Sequence, residues 1–128
     1  MLRHMERDVL QAWIERYERV WRTPGTDLLG ELFADDVGYL PSPWAEPIRG
    51  LAALAQFWEA ERDGPDEQFT MTAQVIAAEG DVGVARVEVD YGSGDRWRDL
   101  WIVRFGPDGR CVAFEEWPFA PEQRAGHG

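Results

Sequence analysis

The chain has 128 residues, with 24 carboxylates and 13 cationic side chains, so its formal charge is −11. All 13 cations are arginine, both histidines lie within four residues of a chain end, and Cys111 is the one cysteine. This inventory excludes lysine-based covalent catalysis, an internal disulfide and zinc sites built from histidine and cysteine. The negative charge also argues against nucleic-acid partners and against an anionic membrane surface.

The length predicts one domain over residues 1–128, with its core at about residues 8–119 and a flexible tail at residues 120–128. The first ten residues are charged throughout and have no apolar signal core. No segment approaches the length of a membrane span. We therefore expect a cytoplasmic protein that does not contact membranes.

Three helices are predicted in the first half of the chain. The first covers residues 5–22, where apolar residues recur at steps of three and four, and Thr23-Pro24-Gly25 ends it. A short second helix begins at Thr26 or Asp27, includes Phe33 and ends at Asp35-Asp36. A short strand at residues 37–40 and a proline-rich loop centred on Trp44 precede the third helix, which Gly50 opens.

Extended segments fill the second half of the chain. They cover residues 69–78, 82–91, 96–105 and 110–118, and glycine- and aspartate-rich turns separate them. Three helices followed by four such strands predict an α+β fold, in which the helices pack on one face of a strongly curved, mostly antiparallel sheet.

Several short motifs, taken in order, resemble the nuclear transport factor 2-like superfamily, and its SnoaL-like and ketosteroid isomerase-like branches fit best. They are Arg16-Tyr17, Leu32-Phe33-Ala34-Asp35-Asp36, Pro47-Ile48-Arg49-Gly50 and Asp108-Gly109-Arg110. The resemblance covers about residues 8–119. It implies a cystatin-like cone with a central apolar pocket, and a homodimer that packs through the sheet. Activities vary within the superfamily, so the fold does not decide the function.

The branches of the superfamily imply different site residues. Tyr17 matches the oxyanion donor of the isomerase branch, but the two acids of that branch fall at about Pro41 and Trp101, which argues against ketosteroid isomerisation. Arg86, Glu88 and Glu116 resemble the triad of the epoxide hydrolase branch. The cyclase branch places one acid/base carboxylate in the pocket, and Glu116 occupies that position.

The alternation of the second extended segment argues against the hydrolase triad. Val87, Val89 and Tyr91 form its apolar face, so Arg86 and Glu88 are expected on the opposite side of the sheet.

The last hairpin indicates an acid pair independently of the resemblance. A four-residue loop at residues 106–109 would pair Trp101 with Phe114 and Asp99 with Glu116. These residues, with Val103 and Val112, would share the covered face, where two facing carboxylates cannot both ionise comfortably. Such a pair can act as base and acid in a proton transfer.

Structural roles compete with each of these catalytic roles. Asp99 can be solvated at the open end of its strand while Glu116 forms a buried salt bridge, and either Arg96 or Arg98 can neutralise the pair. Tyr17 can be a core tyrosine whose hydroxyl reaches the rim of the cavity.

Aromatic residues are the most abundant signal, with seven tryptophans in the chain. Most aromatic side chains at helical or strand spacing are expected in the core, and Trp44 is expected as a lid or wall of the pocket. The predicted pocket lining is Trp13, Trp21, Phe33, Tyr39, Trp44, Phe57, Trp58, Val87, Val89, Trp101 and Phe114.

The sequence thus predicts a pocket for a small, flat, apolar or aromatic molecule, without a cofactor or a metal. If the protein is an enzyme, the predicted reaction is a proton transfer, as in isomerisation, cyclisation or dehydration, with Glu116, Asp99 and Tyr17 as the catalytic groups. One alternative is a non-catalytic binding or dimeric assembly module. A second is an enzyme similar to epoxide hydrolases.

Overall fold

A computed structural model describes residues 2–62, 68–92 and 94–123, with side chains described from residue 6 onward. The last five residues of the predicted flexible tail, 124–128, lie outside the described residues. The side chains of both histidines also lie outside the described part, because His4 precedes the first described side chain and His127 belongs to the tail.

Three helices precede the main part of the sheet. α1 spans Leu2–Arg22, α2 is a single turn at Leu29–Leu32, and α3 spans Leu51–Glu61. The stripe of α1 is buried as its apolar spacing predicts, except that Val9 at its edge is exposed. Gly50 precedes α3 with a φ of 90°, a backbone conformation that side chains with a Cβ rarely adopt.

The sheet has six strands, of which four form the predicted antiparallel meander. β1 spans Phe33–Leu40, β2 Ile48–Arg49, β3 Thr70–Glu79, β4 Val82–Asp90, β5 Arg96–Phe105 and β6 Cys111–Phe119. Their order is β2-β1-β6-β5-β4-β3, and β1 runs parallel to β6 while the other pairs are antiparallel. The predicted α+β class, with helices on a curved, mostly antiparallel sheet, is confirmed.

One continuous core lies between the helices and the inner face of the sheet. Trp13 of α1 is its centre: the side chain is fully buried, and its indole nitrogen donates a hydrogen bond of 3.1 Å to the carbonyl oxygen of Leu32. Ring contacts connect Trp13 with Phe33 of β1 and Phe114 of β6. Helix and sheet are therefore held together by aromatic packing.

The segment before β1 differs from its prediction. The second helix ends at Leu32, and Phe33 begins the strand rather than ending the helix. Asp35 and Asp36 are exposed within β1, where the pairing with β6 is irregular. Asp35 forms an ion pair of 3.6 Å with Arg110 of the last hairpin. The irregularity lets the strand carry two adjacent acids without burying either one.

The outer face of the sheet carries polar side chains and the ring of Phe119, which is 51% exposed. A groove of about 560 Å³ lies along this face, and Phe119 and the partly exposed Trp97 at the end of the sheet both border it. The predicted homodimer through the sheet stays a prediction. None of the described helices is long and apolar enough to cross a membrane.

Candidate functional site

A cavity of about 390 Å³, open to solvent, lies between the helices and the inner face of the sheet. Tyr17 and Trp21 line it from α1, and Phe57 and Glu61 line it from α3. Strands β1, β3, β4, β5 and β6 form the rest of its wall. Five of the residues predicted from the sequence belong to the lining, namely Trp21, Tyr39, Phe57, Val89 and Trp101.

The other predicted lining residues lie elsewhere. Five of them are fully or almost fully buried behind the wall as core: Trp13, Phe33, Trp58, Val87 and Phe114. Trp44, expected as a lid or wall, is 99% exposed and does not line the cavity. The loop that contains Trp44 forms a local turn, in which the Ala45 amide donates a hydrogen bond of 3.1 Å to the Ser42 carbonyl oxygen. Only Pro41 from this loop reaches the cavity.

Eight lining residues were not predicted from the sequence, namely Pro41, Glu61, Phe69, Met71, Tyr91, Asp95, Trp97 and Pro118. Phe69 and Met71 enter the wall at the start of β3, and Tyr91 and Trp97 flank the turn between β4 and β5. Alternation did carry a signal for Met71, because it pairs directly with Val89, which the sequence placed on the apolar face. The same signal exists for Tyr91 and Trp97, which are in phase with Val89 and Trp101.

Asp99 and Glu116 meet on the wall of this cavity. Asp99 is 4% exposed, and its Oδ2 accepts a hydrogen bond of 3.4 Å from the indole nitrogen of Trp101. Glu116 pairs across the strands with Trp101, so it lies diagonally to Asp99 rather than opposite it. The two carboxyls are nevertheless close enough to share a proton.

Two tyrosines extend this polar cluster. The hydroxyl of Tyr39 donates to Oε1 of Glu116 at 3.4 Å, and it also interacts with the hydroxyl of Tyr17. The ring of Tyr17 lies 4.4 Å from that of Trp101, centroid to centroid. Tyr17, Tyr39, Glu116 and Asp99 therefore form one connected polar chain within an aromatic wall.

Burial determines the protonation of this chain. It raises the pKa of Glu116 well above the usual value of 4.5, and the neighbouring Asp99 raises it further. Burial also raises the pKa of Asp99, while the interactions with Glu116 and Trp101 lower it in part. The pKa values of Tyr17 and Tyr39 are raised by burial too, so both phenols remain donors at neutral pH. Burial and mutual repulsion therefore favour a state in which the two acids hold one proton between them.

No arginine among the described side chains forms an ion pair with Asp99 or Glu116. Arg96 and Arg98 extend from β5 on the outer face of the sheet, and Arg98 forms an ion pair of 2.8 Å with Glu88 there. Arg86 is likewise exposed on that face, as the alternation of β4 predicted. The hydrolase-like triad is thus not assembled, because Arg86 and Glu88 lie on one side of the sheet and Glu116 on the other.

The remaining candidate groups show no catalytic arrangement. The thiol of Cys111 is buried, which raises its pKa to about 12 and keeps it protonated. Among the side chains that the structure describes, no cluster of three or more acidic, histidine or cysteine groups could hold a metal ion. The chemistry of this site therefore rests on carboxyl and phenol groups.

The acid pair makes the stability of the fold depend on pH. Between pH 4.5 and the raised pKa of Glu116, the unfolded chain releases a proton that the folded chain retains, so we expect the free energy of unfolding to fall as pH rises. Glu116→Gln should remove this fall, which is at most about 1.4 kcal/mol per pH unit for one proton. Urea denaturation of both proteins across this pH range measures the difference. Parallel curves for the two proteins would contradict it.

Solved structures from other organisms share this fold. The chain is similar to a candidate ketosteroid isomerase from Kribbella flavida, with 20% identity and a TM-score of 0.70 over 98% of this chain and 84% of that chain. It is similar to a nuclear transport factor 2-like protein of unknown function from Burkholderia xenovorans, with 16% identity and a TM-score of 0.71 over 95% and 91% of the two chains.

A third similar structure is a protein of unknown function from Pectobacterium atrosepticum. Its identity is 22% and its TM-score is 0.64, over 88% of this chain and 91% of that chain. A comparison with curated proteins finds no match. The family model of the SnoaL-like domain matches residues 14–114, most of the chain. The resemblance inferred from the sequence is therefore confirmed, and the chain belongs to the SnoaL-like domain family of the nuclear transport factor 2-like superfamily.

Proposed function

We propose that the protein binds a flat, largely apolar small molecule in this cavity and catalyses a cofactor-free proton transfer on it, as in an isomerisation, cyclisation or dehydration. The observation that carries the proposal is the position of Asp99 and Glu116. Two carboxyls without a neutralising arginine lie on the wall of a cavity that aromatic side chains line. A salt bridge or a cap would explain a buried acid as structural, and neither is present at Glu116 among the described residues.

The acid pair can move a proton without a net change in its own charge. The Asp99 carboxylate removes a proton from a carbon of the ligand, while Glu116 delivers its proton to another atom of the same molecule. The pair then again holds one proton, now on Asp99, and transfer between the two carboxyls restores the starting state. Each step keeps a single negative charge on the pair.

The tyrosines have the position and protonation of oxyanion donors. Tyr17 lines the cavity, its raised pKa keeps the hydroxyl protonated, and it interacts with Tyr39, which itself donates to Glu116. A hydroxyl of this kind stabilises negative charge that develops on a ligand oxygen when the carbon is deprotonated. The apolar surroundings lower the local dielectric constant, which strengthens these interactions.

Binding of 2-naphthol, a flat neutral probe, tests the pocket directly. We expect saturable binding by calorimetry, with nuclear magnetic resonance shifts confined to the cavity. Met71→Trp fills the cavity and should abolish binding, because Met71 lines it. Thr72→Trp is the matched control, since Thr72 is the next residue in β3 and faces the outer groove. Binding that survives in Met71→Trp, or no binding to the unmodified protein, would overturn the proposal.

A further inference from the structure

The charges around the cavity are all of one sign. Four carboxyl groups line it: Glu61 from α3, Asp95 before β5, Asp99 and Glu116. No arginine is among the lining residues in the part of the chain that the structure describes. An anionic ligand would meet only repulsion here, and a neutral ligand would leave the negative charge of the acid pair uncompensated.

The wall of the cavity is also unusually rich in aromatic rings. Three tyrosines, three tryptophans and two phenylalanines line it. Faces of such rings carry negative electrostatic potential and attract cations, and tryptophan attracts them best. Carboxylates combined with ring faces form the usual chemistry of a site for an organic ammonium group.

Two rings of this wall already interact with cations that belong to the protein. The guanidinium carbon of Arg22 lies 3.9 Å from the ring centroid of Phe69, and that of Arg62 lies 5.1 Å from the ring of Trp21. Both arginines are engaged elsewhere, Arg22 with Glu18 and Arg62 with Glu59, and neither lines the cavity. The rings of the wall thus contact arginine side chains that lie outside the cavity, whereas no described cationic side chain lines the cavity itself.

An unsatisfied acceptor lies at the inner end of the cavity. Oδ1 of Asp99 is buried and, apart from the neighbouring carboxyl of Glu116, has no hydrogen-bond partner among the described residues, although Asp99 is only 4% exposed. A buried carboxylate oxygen without a donor costs free energy of folding, so such an atom indicates a missing partner. The hydroxyl of Tyr39 is directed at Glu116, and the indole of Trp101 reaches only Oδ2.

We propose that the ligand of this cavity is an organic cation, a flat amine or quaternary ammonium compound whose positive nitrogen lies against Asp99 and Glu116 and whose rings stack on the aromatic wall. This inference rests on the proposed function and names the chemical class of its substrate. Glu61 and Asp95, both exposed, extend the negative charge to the mouth of the cavity and attract such a ligand from solution.

The charges of the complex balance without another component. The acid pair holds one proton and carries one negative charge, which the single positive charge of the bound ligand neutralises. The proton stays on the pair and remains available for transfer to the ligand. The positive nitrogen in turn stabilises the ionised form of the pair.

Three probes of similar shape and different charge test the proposal. They are N-methylquinolinium, the neutral 1-methylnaphthalene and the anion 1-naphthoate, each titrated against the whole protein by fluorescence and by calorimetry. We expect the cation to bind at least about tenfold more tightly than the neutral probe, and the anion to bind most weakly. Asp99→Asn and Glu116→Gln should each reduce the preference for the cation.

Glu115→Gln serves as the control for charge, because Glu115 is the neighbour of Glu116 in β6 and does not line the cavity. It should keep the preference for the cation. Equal or tighter binding of 1-methylnaphthalene would overturn the inference and leave the proposed apolar pocket intact. Failure of all three probes to bind would overturn both proposals. A preference for the cation that persists in both Asp99→Asn and Glu116→Gln would place the cation elsewhere and overturn the inference.

Discussion

Replacing Glu116 by glutamine is expected to lower the rate of catalysis by about a hundredfold or more, the usual size of general acid–base effects. The amide keeps the shape of the side chain and its place in β6, but it holds no proton that it can transfer. Asp99 remains in the variant, with its hydrogen bond from Trp101. The measurement is kcat and KM for a substrate obtained from the binding experiments, with the protein as the sole catalyst.

The pattern of the kinetic effects separates catalysis from structure. Loss of an acid that acts only in the transition state lowers kcat and kcat/KM together. The double variant Asp99→Asn/Glu116→Gln should lose little more than either single variant, because the two groups act as one unit. Glu115→Gln should retain the rate of the unmodified protein. An unchanged rate in Glu116→Gln would reject the acid/base role, and an equal loss in Glu115→Gln would show that a general disturbance of the strand is responsible.

The sequence correctly placed Glu116 on the inner face of the sheet. The predicted pairing register of β5 with β6, on which that placement depended, is nevertheless wrong. The loop of the last hairpin is one residue longer than expected, so Phe105 pairs with Cys111 rather than with Arg110. A bulge then moves the pairing by one more residue, and Asp99 pairs with Pro118. Two shifts of one residue restore the alternation, whereas a single shift would have turned Glu116 outward.

Such a bulge arises from local packing that alternation alone does not encode. Val112 was expected on the inner face, but Cys111 and Phe114 are the buried residues of β6. A Cβ at Gly106 would lie 2.8 Å from Cγ1 of Val112, so the turn and the bulge pack tightly against each other. This arrangement depends on tertiary contacts. Alternation therefore placed Asp99, Trp101 and Glu116 on one face correctly, but it misplaced Val112 beside the bulge and did not predict which residues lie opposite each other.

The same limit explains which parts of the cavity were predicted. Tyr39, Trp101 and Val89 follow from periodicity within regular elements, and all three line it. Tyr91 and Trp97 are in phase with Val89 and Trp101, so alternation carried a signal for both, but the predicted lining did not include them. Residues in loops follow no period. For this reason Trp44 was misplaced.

Membership of the SnoaL-like family does not by itself provide the catalytic residues. Pro41 lines the cavity at the position where the isomerase branch would have its base, and a proline has no group that accepts a proton. The carboxyls of this protein come instead from β5 and β6, on neighbouring strands. Family membership thus establishes the cone-shaped fold, whereas the acid pair is a feature of the residues on β5 and β6 of this chain.

Alanine substitutions of Trp13 and Trp44 form a matched pair that tests the packing of the core. Trp13→Ala should lower the free energy of unfolding by about 3–5 kcal/mol, the usual loss for a large aromatic side chain deleted from a core. The variant loses its hydrogen bond to Leu32 and its contacts with rings from α1, β1, β5 and β6. Trp44→Ala deletes the same side chain where it is 99% exposed, so its effect should stay within about 0.5 kcal/mol.

Urea denaturation followed by far-ultraviolet circular dichroism measures both variants, since this signal does not depend on the deleted indole. If Trp13→Ala is too unstable to purify, Trp13→Phe provides a graded change that keeps a ring but lacks the donor to Leu32. It should still lose a substantial part of the stability, because a buried carbonyl oxygen is left without its donor. Equal stability of the Trp13 and Trp44 variants would contradict the core described here. A large loss from Trp44→Ala would instead mean that this loop packs against another part of the protein in solution.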